Sequence, residues 1–569
     1  MAGYIHSDHL RLFILSLSIL ITLSAFFYLL GRRHSAIKTP HPPSYSLFRN
    51  LTGFLHNRLC HRCHDWPPDT LTTNPSLTLQ ATGFLGFSHR IRTADPANLD
   101  HILLTNFPNY IKNSGHTTAM QELLGTGVLS SNSNLWSSHR RIATHELISK
   151  SFITFVSHTI QSQVSKSLIP HLLKAGNIAV DLHQVLKRFT FDNMCNIVFG
   201  FNPCLLTSNS VGSKYQSFVQ AFDTAVELIS SRFMSPLPVV WKLKRYFNIG
   251  NERKFKQAIE TVNRFVMDVI ESKELQFNGH GYITNDDLLS RYIVSSSGLG
   301  FEGEERRNYL RDVIINFIYA GKDLTSTALA WFFWILDGHP HCKHKIRKEI
   351  ATLMNQSNHI DHQPNLTFDE LKSLHYLHAA LSESMRLFPP VPMISRFTLD
   401  DDMLPDGTYV ERGWFVDCSV YAMGRMKRIW GSDCDEFRPE RWLDGNGVYK
   451  SFDPFKYPVF SGGYRMCLGK EMAYLQMKSV VVAVMHRFEI EVVGGGGSPE
   501  KMVDPSVSMS TVLSMKNGLR VRLKRQQDDI DAPRVKDKDK GVMIAFFGVF
   551  LVWLSFYKHK QYKLIGVTN

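Results

Sequence analysis

Residues 310–336 form a nearly continuous apolar run, interrupted mainly by Asn316, by Gly321, Lys322 and Asp323, and by the cluster Thr325-Ser326-Thr327. Charged residues 304–307 precede it and Gly338-His339-Pro340 closes it, which is the pattern of one helix with a defined start and stop. A helix of that length, apolar on most sides, has to run through the core, so it fixes the middle of the fold. Long helical patterns dominate the rest of residues 45–525, with no internal repeat and no low-complexity break. Strand patterns are short. Tyr409-Val410 and Trp414-Phe415-Val416 flank a turn region opening at Leu404-Pro405-Asp406-Gly407, and Leu519, Val521 and Leu523 alternate after Asn517-Gly518. The expected class is mainly α with small β-sheets, arranged as one large domain.

The chain has 569 residues, of which 44% are hydrophobic and 20% charged, a globular composition. Its formal net charge is +13. That charge calls for an anionic partner, but no nucleic-acid module is present and the basic residues are scattered rather than striped. An acidic protein partner and a membrane surface fit; nucleic acid does not. Eight cysteines without paired spacing argue for a reducing compartment. The cluster Cys60-His61-Arg62-Cys63-His64 has the form of a c-type haem attachment site, yet the adjoining His64-Asp65-Trp66 reads as an ordinary amphipathic helix.

A second cysteine context carries more chemistry. Residues 460–469 read Phe-Ser-Gly-Gly-Tyr-Arg-Met-Cys-Leu-Gly, and residues 470–488 contain neither Gly nor Pro. Cys467 thus stands at the mouth of a helix, where the positive N-terminal end favours a thiolate suited to a metal.

The spacing F-x-x-G-x-R-x-C-x-G resembles the haem-binding segment of the cytochrome P450 superfamily, with every fixed position filled. The resemblance implies haem b as cofactor, with Cys467 as the iron ligand and Arg465 on a propionate. Phe460 would pack on the loop, and Gly463 and Gly469 would leave room for backbone close to sulfur and porphyrin. Trp136 and Arg140, one helical turn apart, match the family's W-x-x-x-R helix that faces a propionate. Arg396, after Pro389-Pro390-Val391-Pro392, is a third cation for the same carboxylates. Glu383 and Arg386, with Arg441 of Phe437-Arg438-Pro439-Glu440-Arg441-Trp442, resemble the family's buried structural triad.

Ala320-Gly321-Lys322-Asp323-Leu324-Thr325 resembles the oxygen-activating motif [AG]-G-x-[DE]-T-[TS]. There a small pair admits dioxygen and substrate, and the acid and first threonine deliver protons. Leu324 stands where that threonine is expected. Three readings follow: Thr325 substitutes through a local bulge in the helix, or Asp323 works with ordered water, or the enzyme rearranges an already oxidised lipid as a hydroperoxide isomerase or dehydratase. An inactive haem- or lipid-binding protein is the remaining alternative.

Both ends carry apolar segments. Residues 12–30 are an uncharged run of 19 residues, about 28 Å as a helix and enough to span a bilayer. Arg32, Arg33 and Lys38 follow it, so residues 1–37 read as an N-terminal anchor with the catalytic body cytosolic. Residues 38–44, with Pro40, Pro42 and Pro43, form a stiff hinge. Residues 526–540 are a charged linker, and residues 541–557 are a second hydrophobic segment that either crosses the membrane or lies in its interface.

The segment after the cysteine, together with Arg188-Phe189-Thr190-Phe191-Asp192-Asn193 and Ala330-Trp331-Phe332-Phe333-Trp334, resembles the plant branch of ω-end fatty-acid hydroxylases. Some members of that branch oxidise the jasmonoyl-isoleucine hormone. The resemblance implies a lipid-like substrate hydroxylated with O2 at its far terminus, in the endoplasmic reticulum membrane. An apolar lining from Phe317, Ala320, Leu324, Val391, Met393, Val512 and Leu513 agrees with such a substrate. No Gly-rich flavin or nicotinamide motif is present, so electrons have to come from a separate reductase, and the resemblance implies NADPH-cytochrome P450 reductase.

Overall fold

The structure is a computed structural model. It describes residues 44–45 and 71–526, apart from 73, 83–88, 113, 208–213, 234, 236–237, 281–285, 297–301, 357–365, 496–504 and 509. Both apolar end segments, nearly all of the hinge and linker, and the Cys60–His64 cluster lie outside the described residues. Among the described residues no helix is long and apolar enough to cross a membrane.

Most described residues belong to one compact unit, residues 1–486 with 490–524; residues 487–489 and 525–569 form a second. Seven helices position the site: α1 (Ser133–Ile148), α2 (Leu182–Phe199), α3 (Lys214–Phe233), α4 (Gly303–Lys322), α5 (Leu324–Asp337), α6 (His375–Leu387) and α7 (Lys470–Arg487). α5 is buried from Thr325 to Leu336, and fourteen of the eighteen residues of α2 are buried beside it. Such all-round burial is what an all-round apolar sequence requires.

A six-stranded sheet lies to one side. Its strands are β1 (Ser44–Tyr45), β2 (Thr78–Thr82), β3 (His89–Thr93), β4 (Tyr110–Ile111), β5 (Ile394–Thr398) and β6 (Phe415–Cys418), in the order β1-β2-β3-β6-β5-β4. β5 runs antiparallel to β6, with Ile394 opposite Cys418, and antiparallel to β4, with Tyr110 opposite Thr398 and Ile111 opposite Phe397. That register carries the chain after β4 toward Arg396. The turn at 404–407 closes a small hairpin between Asp402–Met403 and Tyr409–Val410, and the alternating C-terminal segment becomes the strand Arg520–Arg525, whose Val521 faces Val180.

The expected single helix over 310–336 is two helices. No helical hydrogen bond spans Asp323, which has φ −101° and ψ −26°. One backbone acceptor is taken at the break: Thr190 Oγ1 of α2 donates to the Lys322 carbonyl at 2.6 Å, and a hydroxyl inserted in this way opens a helical ladder. The Asp323 carbonyl starts the second helix, accepting from the Thr327 N–H at 3.0 Å and from Ser326 Oγ at 3.0 Å.

Candidate active site

Cys467 lies between the short turn Gly463–Arg465 and α7. Its N–H donates to the Phe460 carbonyl at 2.8 Å, which closes the loop, and the Phe460 ring rests on Tyr474 with centroids 5.4 Å apart. The side chain is exposed by surface area although protein surrounds it, as for a group that opens into an interior chamber. Burial pushes the thiol's pKa up, while the Gly469 N–H, Arg140 and Lys470 pull it down. Desolvation therefore outweighs the expected pull of the helix N-terminus for the free thiol.

The two glycines differ in what demands them. Gly463 has φ +57°, and a Cβ there would strike the Leu103 carbonyl, so a close approach of protein backbone demands glycine at this position. At Gly469 a Cβ would meet only Cys467 Sγ at 3.9 Å and Met472 Cε at 4.0 Å, which are ordinary contacts.

Beside the loop four cations converge. Arg465 Nη2 donates to the Ser131 carbonyl at 2.9 Å and to Asn132 Oδ1 at 3.2 Å, and its guanidinium lies 4.5 Å from the centre of the Trp136 ring. Arg396 on β5 is buried and donates to the Ser395 carbonyl at 2.9 Å. Arg140 on α1 is close enough to Cys467 to feel its charge. The fourth is Lys112, just past β4, whose Nζ donates to the Leu129 carbonyl.

Sequence reasoning missed Lys112, because no motif surrounds it and only the β4–β5 register brings it level with Arg396. Burial pushes Arg396 down to about 10, and burial with its neighbours Arg396 and Arg140 pushes Arg465 down to about 9. Lys112 is also lowered, by burial and then by Arg465 and Arg396. No carboxylate among the described residues pairs with any of the four, and Nε of both Arg396 and Arg465 is buried without a partner. Uncompensated buried cations are costly, so this pocket is built for an anion.

Comparison with known proteins decides what the anion belongs to. The family model for cytochrome P450 matches residues 83–516. The chain is a cytochrome P450. It is 41% identical over 456 residues to "Cytochrome P450 94A1" of Vicia sativa, covering 79% of this chain and 84% of that one. It is 42% identical over 446 residues to "Cytochrome P450 CYP94D109" of Paris polyphylla, covering 77% and 86%. Among solved structures, the cytochrome P450DA heme domain matches with a TM-score of 0.69 at 19% identity, over 86% of this chain and 98% of that one, which shows the fold.

A P450 carries haem on an axial cysteine thiolate, and the residues present fit it. Four cations without carboxylate partners suit the two propionates, and the open face at Gly469 suits a flat ring next to sulfur. Haem bound there supplies reductive activation of dioxygen, with the thiolate donating electron density toward the oxygen.

At the break between α4 and α5 the two helices arrange the acid. Both oxygens of Asp323 accept from Lys322 Nζ, at 2.9 and 3.0 Å, and the same ammonium pairs with Asp223 of α3. Despite its burial, Asp323 is held below the usual carboxylate range by Lys322 and then Lys187. Phe317 and Ala320, three positions apart near the end of α4, are half-buried apolar residues, and so is Leu324 at the start of α5. Tyr319, Gly321 and Asp323 are half-buried with them, whereas Thr325 is buried.

Gly321 does not open space for a ligand, because a Cβ there would lie 2.5 Å from Met194 Sδ of α2. Of the remaining expected lining residues, Val391 and Val512 are half-buried and Met393 is exposed. Leu513 is core, its backbone bonded to Trp331 Nε1 and to the Pro390 carbonyl.

The structural triad is brought together. Arg386 Nε and Nη2 donate to the two oxygens of Glu383 at 2.7 and 2.8 Å, and Arg441 Nε approaches Glu383 Oε1 at 3.3 Å. Trp442 Nε1 adds a bond to Glu383 Oε2 at 2.8 Å, a fourth member of the cluster that the sequence did not reveal.

Proposed function

We propose that this P450 hydroxylates fatty acids or related oxylipins at the terminal carbon. It would use O2 and electrons from NADPH-cytochrome P450 reductase, and be anchored in the endoplasmic reticulum membrane through residues 1–37. The observation that supports the substrate class is the set of half-buried apolar residues Phe317, Ala320 and Leu324 around the break at Asp323, side chains that can pack a hydrocarbon chain. In the same reading Cys467 ligates the iron, and Arg140, Arg396 and Arg465 hold the propionates with Trp136 packed beneath Arg465. Phe460 and Gly469 shape the loop around sulfur.

Asp323 is the acid of the distal side, released when Lys322 turns to Asp223, and Thr325 supports the second helix from its buried face. The test is turnover with reductase and NADPH on C12 to C18 fatty acids and jasmonoyl conjugates. Terminally hydroxylated products support the proposal; a native thiolate-bound haem that leaves all of them unchanged sinks it.

Leu324 favours one second reading, a lipid-hydroperoxide isomerase or dehydratase, since that position carries no hydroxyl. Conversion of a fatty-acid hydroperoxide without NADPH would establish it.

A further inference from the structure

Asn316 interrupts an otherwise apolar stretch of α4, and nothing above has used it. It is 2% exposed, so its amide must be paired. Its Nδ2 donates to the Leu124 carbonyl at 2.8 Å and to the Asp312 carbonyl at 2.7 Å, and its Oδ1 accepts from the Leu129 N–H at 2.9 Å. One turn earlier, Asp312 Oδ2 accepts from the Thr126 N–H at 2.7 Å and from Thr126 Oγ1 at 3.1 Å, while Arg311 holds its other oxygen at 2.6 Å. Two polar side chains four residues apart on α4 thus grip the segment 124–129.

The grip explains two glycines. A Cβ on Gly125, where φ is +57°, would run into the Asp312 carboxylate, and one on Gly127 would run into the Asn316 amide. What the segment does next gives the grip its purpose. The Leu129 carbonyl receives Lys112 Nζ, the Ser131 carbonyl receives Arg465 Nη2, and Asn132 Oδ1 receives both the Lys112 N–H at 3.0 Å and Arg465 Nη2. Ser130 Oγ stiffens the span by donating back to the Gly125 carbonyl at 2.7 Å.

We propose that Asn316, with Asp312, is a positioning residue for the haem carboxylates: it fixes the segment 125–132, whose carbonyls aim Lys112 and Arg465 at the propionates. This deepens the cofactor reading above and rests on it. Asn316 touches neither haem nor substrate and acts only through the segment.

The test uses the full-length haem-loaded protein, with haem transfer to a myoglobin apoprotein and the ferric/ferrous potential as readouts. Asn316→Leu is expected to speed haem transfer about tenfold, the equivalent of about 1.4 kcal/mol. It should also lower the potential in the same sense as Lys112→Met, because cations displaced from the propionates no longer disfavour the ferric state. If Asn316 acts through Lys112, the double variant releases haem no faster than the faster single variant.

Gly127→Ala, which pushes the segment off Asn316 from the other side, is expected to behave alike and decides the matter should Asn316→Leu not fold. Haem transfer and potential at wild-type values in a folded Asn316→Leu or Gly127→Ala protein, with both altered in Lys112→Met and Arg465→Gln, overturn the inference alone. Wild-type values in those last two variants overturn the cofactor reading beneath it.

Discussion

The Thr190 hydroxyl of α2 donates to the Lys322 carbonyl at 2.6 Å, and in doing so takes the acceptor that a continuous helix would have offered to Ser326. The break at Asp323 is therefore held from a neighbouring helix. Thr190→Val leaves that buried carbonyl without a donor and should destabilise the protein by about 1–3 kcal/mol in urea denaturation. Product formed per NADPH should fall as well. Unchanged stability and coupling would mean that Thr190 does not hold the break open.

Leu324 begins α5 half-buried, one residue past Asp323. Placing a hydroxyl there through Leu324→Thr should raise product per NADPH and lower peroxide release, both read in one assay with reductase. Equal coupling in the two proteins would show that proton delivery from Asp323 proceeds without that side chain.

Glu383 is wholly buried and accepts from Arg386, Arg441, Trp442 and the Arg438 N–H. Glu383→Gln keeps the size and removes the charge that balances two guanidinium groups. The expected loss is about 3–5 kcal/mol, with less haem recovered per protein on purification. A variant as stable and as haem-loaded as the parent would show that the backbone carbonyls around Arg386 suffice.

Much of this was legible beforehand because the decisive residues are close in sequence. The loop at 460–469, the helix after it, and the pair Glu383 and Arg386 on one helix face needed only local spacing to read. Lys112 and Asn316 were not legible, since their roles arise from strand register and from a segment that touches α4 in space but whose Leu129 lies 187 residues before Asn316 in sequence. The break at Asp323 was hidden for the same reason, as its cause lies 132 residues away in α2. Gly463 and Gly321 show the converse limit. A sequence shows that space is left, but only packing shows that Leu103 and Met194 occupy it.

His378 of α6 is wedged between Tyr449 and Tyr474, with ring centroids 3.9 and 4.0 Å away, and burial pushes it down to about 2. Lys478, Lys470 and His375 push it in the same direction. A histidine depressed in the folded state contributes stability above its unfolded pKa near 6.5 and loses it as pH falls, at about 1.4 kcal/mol per pH unit. Between pH 7 and pH 5 the wild type should therefore lose about 2 kcal/mol relative to His378→Phe, which keeps the stacking and cannot titrate. Parallel denaturation curves for the two proteins over that range would contradict the assignment.

The match between Gly125 and Gly127 on one side and Asp312 and Asn316 on the other makes the span from 125 to 132 a strand of fixed length. Two residues of loop are measured against one turn of helix, so a single inserted or deleted residue cannot be absorbed as slack. It would move Leu129, Ser131 and Asn132 out of step with Lys112 and Arg465 together. Variation in this enzyme's size should therefore gather elsewhere on its surface, and grafting of foreign loops between Leu124 and Ser133 should succeed only when the number of residues is kept.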